Sequence, residues 1–240
     1  MPVSTPRKTP GRLAPPPSAE VFARLPLGRL CRRVAGVYQR LHSRNPETGE
    51  LWPAVSFSQR GTSRFDPVDG VGTLYVADSL AGALLEMIGD QLEPVASPGR
   101  NLGPSLLAQW HVSLVSVPCS TVLETSGSNL SKLGVDLGLL AGDHAASQPW
   151  ALRLGEHPAR IDGIYYPSRH DDIRRNLALF RRDHFLPARP EPRLTPSAHD
   201  LAAFAAREDG PLLYGPPICL REHPQLHAAL VELEIGLLPE

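Results

Sequence analysis

The sequence predicts a fold that mixes strands and helices, because short apolar runs of strand type and capped helical patterns both recur along its length. Its 26 prolines and 20 glycines in 240 residues, set against 6% aromatics, call for many short elements joined by stiff loops. At this length the chain can bury one generous core, so a single main domain is expected, with disorder confined to local stretches.

The first 20 residues hold six prolines, Arg7, Lys8 and Arg12 with little apolar material, and read as a mobile tail. From Leu30 to Val37 the segment LCRRVAGV resembles a strand whose arginines point away from the core. A loop with Asn45, Pro46, Gly49 and Pro53 follows. Gly72 to Asp78 (GTLYVAD) is a compact strand, and Ser79 or Asp78 caps the helix SLAGALLEMIGD behind it. Gln109 to Val117 alternates as a strand that Pro118 should end, while Leu130 to Leu140 carries glycines that break a helix. A helix is expected over Ala145 to Leu154, a strand over GIYYP ended by Pro167, and another strand over Asn176 to Phe180. Thr195-Pro-Ser leads into a capped helix from His199 to Glu208, and a last strand and a helix from about Pro224 close the chain.

A formal net charge of -1 leaves no whole-chain attraction to nucleic acid or to an anionic membrane, so any basic site must be a local pocket. Cys31, Cys119 and Cys219 are odd in number and far apart, which fits reduced thiols and a cytoplasmic setting better than a disulfide framework. No run of about 18 apolar residues exists, and the N-terminus lacks the apolar stretch of a secretory signal, so neither membrane insertion nor export is expected. GxSxG, HExxH, GxxxxGK and paired CxxC patterns are absent, and the scattered histidines and cysteines suggest no metal. Gly70-Val-Gly72 precedes a strand where a dinucleotide fingerprint would follow one, so it reads as a turn.

What remains is Arg64-Phe65-Asp66-Pro67, then GTLYVAD, then a helix carrying Glu86 seven residues after Ser79, about two turns along. RFDP followed by GVGTLYVADSLAGALLEMI resembles the motif of the RES-domain family, in which an arginine-aromatic pair precedes an apolar strand ending in Tyr-x-Ala and a helix with one acid. LGVDLGLLAGDHAASQPWALRL and DGIYYPSRHDDIRRNLALF resemble the later family blocks. Phe65 stands where many members carry tryptophan.

The resemblance implies an α+β fold, a mixed-sheet, ADP-ribosyltransferase-like core with flanking helices: a tail over 1–20, a RES domain over 21–185 and an extension over 186–240 that packs on the core. It places the family's arginine at Arg33, with Arg32 as a rival, its acid at Glu86 and its serine at Ser168, with Arg64 and Tyr75 as flanking motif residues. It implies NAD as substrate, cleaved at the nicotinamide-ribose bond with phosphate or water as acceptor, and an Xre-like antitoxin as partner of a toxin. The other readings are an ADP-ribosyltransferase acting on a protein or small molecule, and a non-catalytic nucleotide-binding module.

Those residue types suit that chemistry. Guanidinium groups such as Arg33 and Arg64 pair with diphosphate oxygens, whereas an arginine outside a motif, such as Arg44, Arg60 or Arg169, is ordinarily a surface ion-pair partner. Breaking an N-glycosidic bond builds positive charge on the ribose, which a carboxylate such as Glu86 offsets; LLEMI sets it among apolar neighbours, where an idle acid is costly. Tyr75 is either a stacking and hydrogen-bonding ring or a core ring with a satisfied hydroxyl. Ser168 has no His-Asp relay nearby and reads as a donor to phosphate or ribose; Asn176 orients its loop or is a turn residue, and His170 and Asp171 are ordinary loop polars.

Overall fold

The computed structural model describes residues 13–89, 101–186, 198–207 and 210–238. In chain order the elements are α1 (Ala19–Phe22), β1 (Cys31–Ser43), β2 (Thr73–Ala77), α2 (Leu80–Ile88), β3 (Asn101–Leu102), α3 (Pro104–Gln109) and β4 (Trp110–Glu124). They continue with α4 (Asn129–Leu133), α5 (Gly138–Ala141), α6 (His144–Glu156), β5 (Gly163–Pro167), β6 (Arg175–Phe180), α7 (Ala198–Ala205), β7 (Leu213–Tyr214), β8 (Ile218–Cys219), α8 (Leu226–Glu232) and β9 (Gly236–Leu237).

The expected mixed α+β architecture is present. The seven-stranded sheet runs β1-β2-β6-β5-β4-β7, with β8 also on β4, and β1 pairs with β4 as well as β2. The path β1-β2-β6-β5-β4 therefore returns to β1 and closes a curled ring. Its pairings are antiparallel except β4 with β5, which makes the sheet mixed.

The backbone of the ring is the long antiparallel pair of β1 and β4, in register from Cys31 opposite Leu123 to Ser43 opposite Trp110. Pro118 does not end this strand as expected. Between Val34 and Gly36 the partners jump from Ser120 to Val117, so β4 carries one extra residue in a bulge there, where a missing N–H is tolerated. The bulge lets β4 run on to pair with β5.

Helix α2 begins where the sequence places it, with the Ser79 hydroxyl accepting from Gly82 N at 3.1 Å. Its apolar face, Leu80, Leu84, Leu85 and Ile88, packs with Leu226, Ala229 and Leu230 of α8. On the other side α6 buries Trp150, Ala151 and Leu154 against Phe65, Ile164 and Phe180. The glycine-rich 130–140 stretch is a broken helix, α4 and α5, separated at Gly134 with φ 82°.

Residues 1–12 of the expected tail lie outside the described residues. The remainder is attached: Leu13 packs against the α6 cluster, and Trp150 Nε1 donates to the Ala14 carbonyl at 2.9 Å. Among the described residues no helix is long and apolar enough to cross a membrane.

His42 ties the ring to the loop before β2. It is 4% exposed, with Nδ1 2.7 Å from the Trp52 carbonyl and Nε2 3.0 Å from Ser113 Oγ of β4. Desolvation, with smaller contributions from Arg40 and His111, pushes its pKa from 6.5 down to about 4. The unfolded chain then binds a proton on this residue below pH 6.5 that the folded chain refuses, so stability is complete above that pH and falls as pH drops toward 4. The urea midpoint is expected to decline over that window, with the His42 ring protons keeping their neutral NMR shifts at pH 5.5. A His42 ring titrating near 6.5 contradicts this account.

Candidate active site

One face of the strand ring builds a row of cross-strand partners. Gln39 of β1 lies opposite Ala77 of β2, Ala77 opposite Asn176 of β6, and Asn176 opposite Tyr166 of β5. Directly opposed residues share a face, and so do residues two apart on one strand, which adds Leu41 and Tyr75. All six line a cavity of about 250 Å³, whose walls also include Arg64, Glu86, Met87, Trp110, His144 and Arg169.

Glu86 projects from the last turn of α2 onto this row. Its Oε1 accepts from the Tyr166 hydroxyl at 3.0 Å and its Oε2 from Asn176 Nδ2 at 2.9 Å. The carboxylate is thus oriented by two strands that are themselves paired. Burial first, and the negative charge of Glu86 second, push the Tyr166 phenol well above its ordinary value, so it stays a donor.

From the RFDP segment Arg64 lines the cavity, with Ser63 just before it. Asp66 is fully buried and folds the loop on itself: Oδ1 accepts from Ser63 N and Oδ2 from Ser58 Oγ, both at 2.7 Å. Phe65 N donates to the Tyr75 hydroxyl at 2.7 Å, and the Phe65 ring meets the Tyr166 ring edge-on at 5.3 Å. Tyr75 is therefore both a cavity-lining ring and the acceptor that seats this loop; burial raises its pKa well above 10.0. Arg64 is 6% exposed, with NH1 donating to the Gly142 carbonyl at 2.6 Å between α5 and α6. Burial and then the neighbouring Arg169 lower its pKa, and Glu86 acts in the opposite sense.

Of the residues singled out from sequence, the structure brings Arg64, Tyr75 and Glu86 together and leaves Arg33 and Ser168 off the cavity wall. Arg33 is exposed on β1, its Nε 3.0 Å from Cys119 Sγ, six residues or about 20 Å along the strand from Gln39. Its rival Arg32 is exposed as well, paired with Glu124 and stacked on Tyr165. Arg40, between the cavity-lining Gln39 and Leu41 on β1, faces the other side of the strand. It donates to the Tyr75 and Ser56 carbonyls at 3.3 Å, its Nε is buried without a partner, and desolvation lowers its pKa to about 10. Ser168 is 5% exposed and serves its own loop, its Oγ accepting from His170 N at 3.3 Å and its N donating to the Arg174 carbonyl at 3.0 Å.

Sequence reasoning missed Tyr166, Arg169 and the role of Asn176. The period-2 pattern of GIYYP separates Tyr165 from Tyr166, but only the β5–β6 register shows which one faces Glu86. Arg169 is on the wall as neighbour of Ser168, not as a surface ion-pair partner remote from the site. Among the described residues no group of three or more His, Cys, Asp or Glu could hold a metal ion, and the three cysteines are free thiols.

Compared with known proteins, residues 37–202 match the RES domain. That span contains Arg40, Arg64, Tyr75, Glu86 and Ser168, and begins after Arg33. A similar solved structure is the crystal structure of the M. tuberculosis MbcT-MbcA toxin-antitoxin complex, with 14% identity, a TM-score of 0.51, and coverage of 67% of this chain and 81% of that chain. No curated protein matches the chain.

Each donor to Glu86 is a charge-assisted hydrogen bond, so Tyr166→Phe and Asn176→Leu are each expected to lower folding stability by about 1 to 3 kcal/mol. In Glu86→Gln the Tyr166→Phe cost should shrink, a positive coupling in a double-mutant cycle read by urea denaturation. Strict additivity contradicts the arrangement.

Proposed function

The chain belongs to the RES domain family, and on that premise we propose that it is an enzyme that consumes NAD by breaking the bond between nicotinamide and ribose. The observation that carries this reading is the Glu86 carboxylate, fixed on both oxygens by Tyr166 and Asn176 and facing a cavity that also holds Arg64 and Arg169. As the C1–N bond breaks, its electron pair leaves with the ring nitrogen and nicotinamide departs neutral. The ribosyl carbon left behind carries the positive charge, and a preoriented carboxylate stabilises it without having to reorganise. Attack at that carbon by water gives ADP-ribose and a proton; attack by inorganic phosphate gives the 1-phosphate.

The cavity is slightly smaller than the roughly 300 Å³ at which sites for drug-sized ligands begin, so it suits the nicotinamide riboside end of the molecule. Apolar Leu41, Met87 and Trp110 provide a wall for a flat ring, and the exposed Arg169 at the rim suits the diphosphate. Arg64, half committed to the Gly142 carbonyl, is the inner anchor, and Ser168 shapes the loop that presents Arg169. We assign Arg33 no part in it.

The same bond cleavage with a protein or small-molecule acceptor makes an ADP-ribosyltransferase, so the acceptor is settled by product analysis. The similar structure is a complex of a toxin with its antitoxin, and on this reading the chain acts as a toxin held in check by an antitoxin, of the Xre-like kind, over the cavity mouth.

Purified protein incubated with NAD, with and without phosphate, is expected to release nicotinamide measurable by chromatography. Glu86→Gln keeps the shape and removes the charge, so turnover is expected to fall roughly a hundredfold or more while NAD binding, read by titration, persists. Arg64→Ala is expected to weaken binding instead, by roughly tenfold or more, through loss of a charge-assisted contact. Nicotinamide release by Glu86→Gln at the parent rate overturns the assignment.

A further inference from the structure

The matched family segment ends at 202, yet two walls of the cavity are tied to α8, which begins at Leu226. At the start of α8, Gln225 Oε1 accepts from Nε2 of Gln39, the first member of the cross-strand row, at 2.7 Å. Gln39 is 9% exposed, and its own Oε1 has no partner, so this bond is what orients the amide on the cavity wall. At the other end of the helix, Glu232 pairs with Arg174. Arg174 also pairs with Asp171, and its carbonyl closes the 168–174 loop by accepting from Ser168 N. That loop presents Arg169 to the cavity and seats His170 on Gly89, where a Cβ would come within 2.3 Å of the imidazole. Between these two ends, Leu226, Ala229 and Leu230 pack in the cluster against which Leu41, Met87 and Trp110 of the cavity wall lie.

We propose that α8 is a clamp on the active site, with Gln225 and Glu232 as positioning residues: one fixes the Gln39 amide, the other fixes the loop that carries Arg169. Neither residue touches the cavity, and both are exposed, so their substitution leaves the core intact. The clamp sets how well the site is preorganised for the ligand and leaves the bond-breaking groups Glu86, Tyr166 and Asn176 untouched.

The consequence for catalysis rests on the NAD reading; the clamp itself does not, and two measurements on the full chain separate them. Amide hydrogen exchange without any ligand reads the loop: in Glu232→Gln, amides of 168–174 are expected to exchange about two- to fivefold faster, the range an exposed ion pair supports, with the melting temperature near the parent's. Unchanged exchange in that loop overturns its tethering. Kinetics on NAD read the wall: Gln225→Leu strips the acceptor from Gln39 and is expected to raise KM roughly three- to tenfold with kcat within about twofold, whereas Gln225→Glu keeps an acceptor and restores KM. A KM equal to the parent's in Gln225→Leu overturns the role of Gln225. A parent protein that releases no nicotinamide overturns the NAD reading, while loop exchange still decides the clamp.

Discussion

The molecule is organised around one half-buried carboxylate held by two donors on paired strands. Tyr166 and Asn176 reach Glu86 together because they sit directly opposite each other across β5 and β6. A slip of one residue in that pairing would turn one of them to the far face. The register is in turn pinned by the closed ring: β6 is held from its other edge by β2, and β5 is tied through β4 back to β1. The bulge at Pro118 lets a single strand serve both β1 and β5, and so belongs to the construction of the site although far from it. The helix that carries Glu86 is set by local chemistry at one end, the Ser79 cap, and by packing on α8 along its length.

What could be read from the sequence divides along the same line between local and long-range information. The block from Arg64 to Glu86 was legible because loop, strand, cap and helix are contiguous, and its order alone puts Arg64, Tyr75 and Glu86 near one another. The row Gln39, Ala77, Asn176, Tyr166 was not, since it depends on three registers between residues 10 to 99 positions apart, and side-chain alternation says nothing about which strand lies beside which. The cavity-lining part of β1 was hidden for a related reason. A short apolar run around Leu30 suggested a strand ending near Val37, whereas β1 continues to Ser43, because pairing with β4 outweighs the polar character of YQRLHS. The strand is longer than its hydrophobic pattern, and Gln39 and Leu41 of the cavity wall lie in the added part.

Charge distribution links the site to the ligand proposed for it. Arg64 and Arg169 act on each other unfavourably, enough to lower the Arg64 pKa together with its burial, and Glu86 offsets only part of this. Such a cavity favours an occupant with negative charge near the arginines and positive charge near the carboxylate. NAD has that asymmetry: an anionic diphosphate at one end of its ribose and a cationic pyridinium at the other. On the proposed reading the order of charges also serves the bond-breaking step, since the pyridinium charge would move onto the ribosyl carbon as nicotinamide leaves, where a carboxylate already oriented would offset it. A site that bound only the diphosphate would need the arginines and not the acid. The hydrogen bonds spent on orienting Glu86 are explained by the cation and not by the anion, and for that reason the reading as an enzyme is preferred to that of a nucleotide-binding module.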